Sequence, residues 1–87
     1  SRGVQGDVAA QTEQVMRNVA AVLDAAGMGF GNVVRATIFL ADIRDFATVD
    51  AIYGRHFEAG RPPARSPCRP RRLPKGALVE IDVVAVA

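Results

Sequence analysis

Two residues of the chain have the types and settings that handle a small anion. Arg65 follows Pro62-Pro63-Ala64 and cannot sit in the middle of a helix. Its guanidinium offers a planar donor fork matched to a carboxylate or phosphate. Glu80 lies in the most hydrophobic run, two residues before Asp82, so period-two alternation places both acids on one strand face. Leu78 and Val84 flank that pair and imply partial burial, where an ionised carboxylate needs a cation nearby, and Arg65 is the candidate. Each residue also has a plainer reading, Arg65 as a surface arginine in a basic loop and the acids as a solvated face. Spacing alone favours the plainer one.

Other candidates carry less. His56 sits beside an apolar helical stripe with no serine or cysteine placed to use it as a base, which suits a surface or half-buried histidine. Cys68, between Pro67 and Arg69, is the single cysteine, so it forms no internal disulfide; with one histidine it builds no ordinary zinc site. Gly29 to Gly31 lacks the lysine and helix of a phosphate loop. Arg61, Arg65, Arg69, Arg71, Arg72 and Lys75 crowd into fifteen residues, although the net charge is only +2. Without interleaved aromatics or a known nucleic-acid motif, this cluster does not make nucleic acid an expected partner.

The elements that must position Arg65 and Glu80 read in order. Asp7 is a helix N-cap, and Val8, Thr12, Val15, Val19, Val22, Leu23 and Ala26 form an apolar stripe ending at Gly27, with Gln11, Glu13, Gln14, Arg17 and Asp24 mostly outside it. Val33 to Leu40 alternates as a strand, with Val34, Ala36, Ile38 and Leu40 on one face. Asp45 caps a second helix whose stripe is Phe46, Val49, Ile52, Tyr53 and Phe57. Gly60 ends it, and Pro62 and Pro63 prevent its resumption. A strand is possible between Arg65 and Arg72, and Leu78 to Val86 is the last strand, with Val79, Ile81, Val83 and Ala85 facing the core. This alternation predicts a sheet with helices on one side.

Eighty-seven residues make one small domain, 1–87, and 49% hydrophobic content with only 6% aromatics favours an oligomer. No apolar run is long enough to span a membrane and no signal pattern opens the chain, so a protein of the reducing cytoplasm is expected.

Several stretches together resemble the Rid family (also called YjgF/YER057c/UK114). They are Gln11-Thr12-Glu13-Gln14-Val15-Met16-Arg17-Asn18, Asn32 to Ile43, Asp45-Phe46, Val49 to Tyr53, Pro63-Ala64-Arg65-Ser66, Leu73-Pro74-Lys75-Gly76 and Val79-Glu80-Ile81. The resemblance implies an α+β, chorismate-mutase-like sheet with two helices packed on one face, here lacking the family's opening hairpin. It also implies a homotrimer with ligand clefts between subunits, a small carboxylate substrate, and no metal or cofactor. By the same resemblance Arg65 grips the substrate carboxylate and Glu80 positions the hydrolytic water. The implied reaction is hydrolysis of 2-aminoacrylate-type enamines and imines to 2-oxo acids and ammonia. Two alternatives remain: a non-catalytic trimer that binds small carboxylates, and an RNA-cleaving translation inhibitor. Asp50 stands at a ligand-facing position where the family usually has asparagine. Pro67 and Pro70 fall where relatives run a continuous strand, so that strand is expected to be an edge, bulged or broken. Cys68 is one step beyond the cysteine of some relatives and takes no role from it.

Overall fold

The computed structural model describes residues 7–57, 64–65 and 69–87, with only the backbone for 64, 65 and 69. Helix α1 is Val8–Ala25 and opens on Asp7, whose Oδ1 accepts the Ala10 N–H at 2.9 Å. It closes where Gly27 turns left-handed at φ 75°. There Gly27 N–H donates to Asp24 O and Met28 N–H to Leu23 O, which satisfies two carbonyls of the last turn. Strand β1 is Val33–Leu40, and helix α2 is Phe46–Arg55. Strands β2 (Ala64–Arg65) and β3 (Arg69–Pro70) are short, and β4 is Val79–Ala85.

Every pairing in the described sheet uses β1. Strand β4 runs antiparallel to it from Val33↔Ala85 to Leu40↔Val79. Strands β2 and β3 pair with β1 in parallel. Since β4 occupies one edge of β1 along its length, β2 and β3 share the other. Both helices lie on one face of this mixed sheet. Met16 and Leu23 of α1, and Val49 and Tyr53 of α2 with Phe57 beyond it, pack with Ile38, Leu40, Val79 and Ile81 of the strands. The expected α+β sheet with helices on one face is therefore the observed fold.

Four local differences from the sequence reading have physical causes. The buried stripe of α1 is rotated: Gln11, Thr12, Met16 and Leu23 are its buried residues, while Val22 is 70% exposed. Thr12 sits inside because its hydroxyl donates to Val8 O at 2.6 Å, and Gln11 because it serves a distant backbone group described below. In β1, Val33 is buried and Val34 exposed. Val33 and Arg35 oppose the adjacent Ala85 and Val84, so a bulge at Val34 inverts the alternation at the strand's start. Helix α2 ends at Arg55, ahead of the expected stop; Gly60 itself lies outside the described residues.

The fourth difference concerns the basic edge. Ala36 faces Arg65 and Phe39 faces Arg69, so three steps along β1 oppose four along its partner. The register therefore differs by one residue between the β2 and β3 pairings; residues 66–68, where the disturbance was expected, lie outside the described residues. Pro70 costs the ladder nothing. The next residue, Arg71, donates its N–H to Leu40 O at 2.8 Å, so by alternation the Pro70 nitrogen faces the outer edge. Cys68 and Pro67 lie outside the described residues.

Candidate functional site

Glu80 is held from three sides of the sequence. Its strand is hydrophobic and β-branched, and Val79 and Ile81 on either side are buried in the core. Alternation therefore turns Glu80 and Asp82 to the face away from the helices, as expected; Glu80 is half-buried and Asp82 exposed. Cross-strand pairing sets Glu80 against Phe39 and Asp82 against Thr37. The start of β4 is fixed by Gln11. This residue is 4% exposed, and its Oε1 accepts the Leu78 N–H at 2.8 Å. A left-handed step at Lys75 (φ 58°) and Gly76 (φ 69°) turns the chain toward that strand.

Beside Glu80, the Phe39 ring lies on the same outer face, and the Arg71 guanidinium carbon stands 4.6 Å from its centroid. That separation is within reach of a cation–π contact. An aromatic ring is thus flanked by a stacked cation from one neighbouring segment and an acid from the other. Sequence reasoning singled out Glu80 but left Arg71 within the general basic cluster. The visible signal was period-two spacing: Arg71 lies one residue past Pro70, which faces the core-directed Leu40.

Arg65 occupies β2, with its backbone opposite Ala36. Arg65 and Glu80 are therefore on strands flanking opposite edges of β1, three residues apart in register. Strand spacing and rise put their backbones about 10 Å apart across the sheet and about 10 Å along it. Adjacent backbone positions do not join them within one protomer. Asp50 lies in α2, half-buried between the core residues Val49 and Ile52 in sequence. The three sequence-predicted site residues therefore stand on three separate elements.

His56 is half-buried at the end of α2. Its Nε2 lies 3.2 Å from Glu13 Oε1, while Arg55 reaches the other Glu13 oxygen at 3.1 Å. The Phe30 ring packs 5.6 Å away. This cluster ties α2 to α1, in keeping with a structural histidine. Tyr53 and Phe57 are core residues in mutual contact, as expected. A groove of about 470 Å³ opens between α1 and β4, lined by Val15, Asn18, Val19 and Val22 opposite Val79–Val83. Among the described residues no three His, Cys, Asp or Glu side chains gather as a metal site, and no helix is long and apolar enough to cross a membrane.

A family model described as Endoribonuclease L-PSP matches residues 1–87. Protein DfrA of Myxococcus xanthus is 56% identical over 84 residues, which are 97% of this chain and 63% of that protein. The 2-iminobutanoate/2-iminopropanoate deaminase of Rattus norvegicus is 46% identical over 83 residues, 95% of this chain and 60% of the enzyme. Among solved structures, a Rid-family protein of Yersinia pestis superposes with a TM-score of 0.90 at 42% identity, covering 97% of this chain and 67% of that one. The chain spans about three-fifths of the length of the curated relatives it matches.

Proposed function

The chain belongs to the Rid (YjgF/YER057c/UK114) family, and on that premise we propose that it hydrolyses enamines and imines of 2-amino acids to 2-oxo acids and ammonia. What supports this reading is the half-buried Glu80, held in fixed register against Phe39 in a chain 46% identical to a protein named as such a deaminase. Arg65 grips the substrate carboxylate, and Asp50 borders the ligand. The separation of Arg65 from Glu80 within a protomer fits a homotrimer whose clefts lie between subunits.

In the reaction, the enamine first takes a proton at carbon and becomes the iminium ion, the protonated imine. Water, losing a proton to the Glu80 carboxylate, adds to the imine carbon while the C=N electron pair moves to nitrogen. The protonated Glu80 returns its proton to the amine nitrogen, and the carbinolamine collapses: its hydroxyl proton passes to solvent, the O–H electrons form C=O, and the C–N bond breaks to release ammonia. General acid–base help of this kind typically supplies about 10²–10⁴-fold. The test is ammonia and 2-oxo acid release from freshly generated 2-aminoacrylate. Wild type should accelerate it, and Arg65→Ala should abolish the gain. Equal rates for folded wild type, Arg65→Ala and buffer would dismiss the hydrolase.

The reset register between β2 and β3 favours a second reading, a trimer that binds small carboxylates without turning them over. Calorimetry with pyruvate separates the two, since Arg65-dependent binding without turnover supports the binder.

A further inference from the structure

Arg71 and Glu80 both neighbour Phe39, one over its ring and the other opposite it across the sheet. The guanidinium of Arg71 rests 4.6 Å from the centroid of Phe39, the residue paired with Glu80 across the sheet. Its own N–H is tied to Leu40 O at 2.8 Å, so the backbone that carries it is anchored to β1. Among the described residues Arg71 has no carboxylate partner: the ion pairs there involve Arg44, Arg55 and His56. A guanidinium has five N–H donors, and a contact of its carbon with a ring face does not use them up as hydrogen bonds to carboxylates would.

Arg71 also borders an open hollow of about 670 Å³, together with Arg72, Leu73 and Ala77. Among the described residues, no acid lines that hollow. On the outer face of the sheet, the Phe39 ring that pairs with Glu80 carries the Arg71 guanidinium, so an anionic group reaching from Glu80 across that ring would meet Arg71. The simplest 2-imino acid has one carboxylate, which the proposed function assigns to Arg65. In the cleft between subunits proposed above, a substrate with a second carboxylate on its side chain would present it to Arg71, while the first is held by Arg65 across the subunit boundary.

We propose that Arg71 is a specificity-determining residue that directs this site toward the imines of dicarboxylic 2-amino acids. This rests on the deaminase reading above for its reaction, but its binding consequence does not. Fork recognition by a guanidinium requires both its charge and its planar geometry. Arg71→Lys should therefore recover only part of what Arg71→Ala loses.

Two measurements test it on the full chain. In the first, imines are generated from aspartate or glutamate and from alanine by an amino-acid oxidase, and kcat/KM is compared. Arg71→Ala should lower the dicarboxylate-to-monocarboxylate ratio at least about tenfold, the loss expected for a hydrogen bond to a charged group. In the second, calorimetry compares 2-oxoglutarate with pyruvate. Arg71→Ala should weaken 2-oxoglutarate binding about tenfold more than pyruvate binding, and Arg71→Lys should fall between the two. If wild type turns over neither class yet 2-oxoglutarate binding keeps this dependence on Arg71, the deaminase reading fails and the specificity assignment stands. If both ratios stay within twofold of wild type, the assignment is overturned whether or not the protein is a deaminase.

Discussion

Gln11 and Leu78 are separated by 67 positions in sequence, yet the Gln11 side-chain oxygen accepts the Leu78 backbone N–H at 2.8 Å. The bond joins the first turns of α1 to the entry of β4, two residues before Glu80. A buried donor that loses its acceptor keeps the full cost of its desolvation. Gln11→Leu should therefore destabilise the fold by about 1–3 kcal/mol. Urea unfolding of the variant checks this, with a lowered midpoint at unchanged slope as the expected result.

The core offers a sharper contrast between two apolar residues. Ile38 is fully buried beneath both helices, whereas Val22 is 70% exposed on α1. Ile38→Ala should cost about 2–5 kcal/mol through lost burial and the cavity left behind. Val22→Ala should change stability by no more than about 0.5 kcal/mol. Thermal melts of the two variants measure this contrast. Equal losses would restore the stripe as first read.

Asp42 gives a pH prediction. Its carboxylate is forked by Arg44, with Nη2 2.7 Å from Oδ2, and Oδ1 also accepts the Arg44 backbone N–H at 2.9 Å. The Arg44 side chain foremost, then its N–H, hold the carboxyl down to about 2 from an ordinary 3.8. A depressed folded value means the pairing contributes stability above the ordinary carboxylate range. That contribution is lost as pH falls from about 4 through about 2. Carbon-detected NMR titration of Asp42 should place its midpoint near 2, and Arg44→Ala should move the midpoint upward.

For the proposed chemistry, Glu80→Gln keeps the shape of the side chain but removes the proton acceptor. It should lower kcat by about 10²-fold or more while leaving KM within a few-fold. Steady-state 2-oxo acid release measures both constants. A fall in KM-dependent affinity with intact kcat would instead make Glu80 a binding residue.

Much of the frame was legible because it rests on local rules. Asp7 as cap, Gly27 as stop, the Val49-Ile52-Tyr53 stripe and the alternation of Val79 to Ala85 depend on neighbours in sequence. What escaped depends on distant ones. Gln11 reads as a polar surface residue until Leu78 is known to need an acceptor. The bulge at Val34 is set by how Ala85 and Val84 pair, which no property of Val33 or Arg35 announces. The separation of Arg65 from Glu80 follows from which strand lies between them, a matter of topology. Pro70 is tolerated because its nitrogen faces away from β1, which depends on the register with Leu40 and not on any neighbour in sequence.

The position of β1 has a consequence for how the molecule assembles. Each described strand pairing is a pairing with β1, and its partners lie 29 or more residues downstream. Among the described strands no two others pair, so none of them forms a ribbon first and waits for it. Loop closure over such distances is slow, so the sheet should appear late and nearly all at once, after the two helices have begun to condense on Ile38 and Leu40. Amides along β1 and β4 should then share one exchange free energy, close to that of global unfolding, because an opening that frees β1 dissolves the whole ladder.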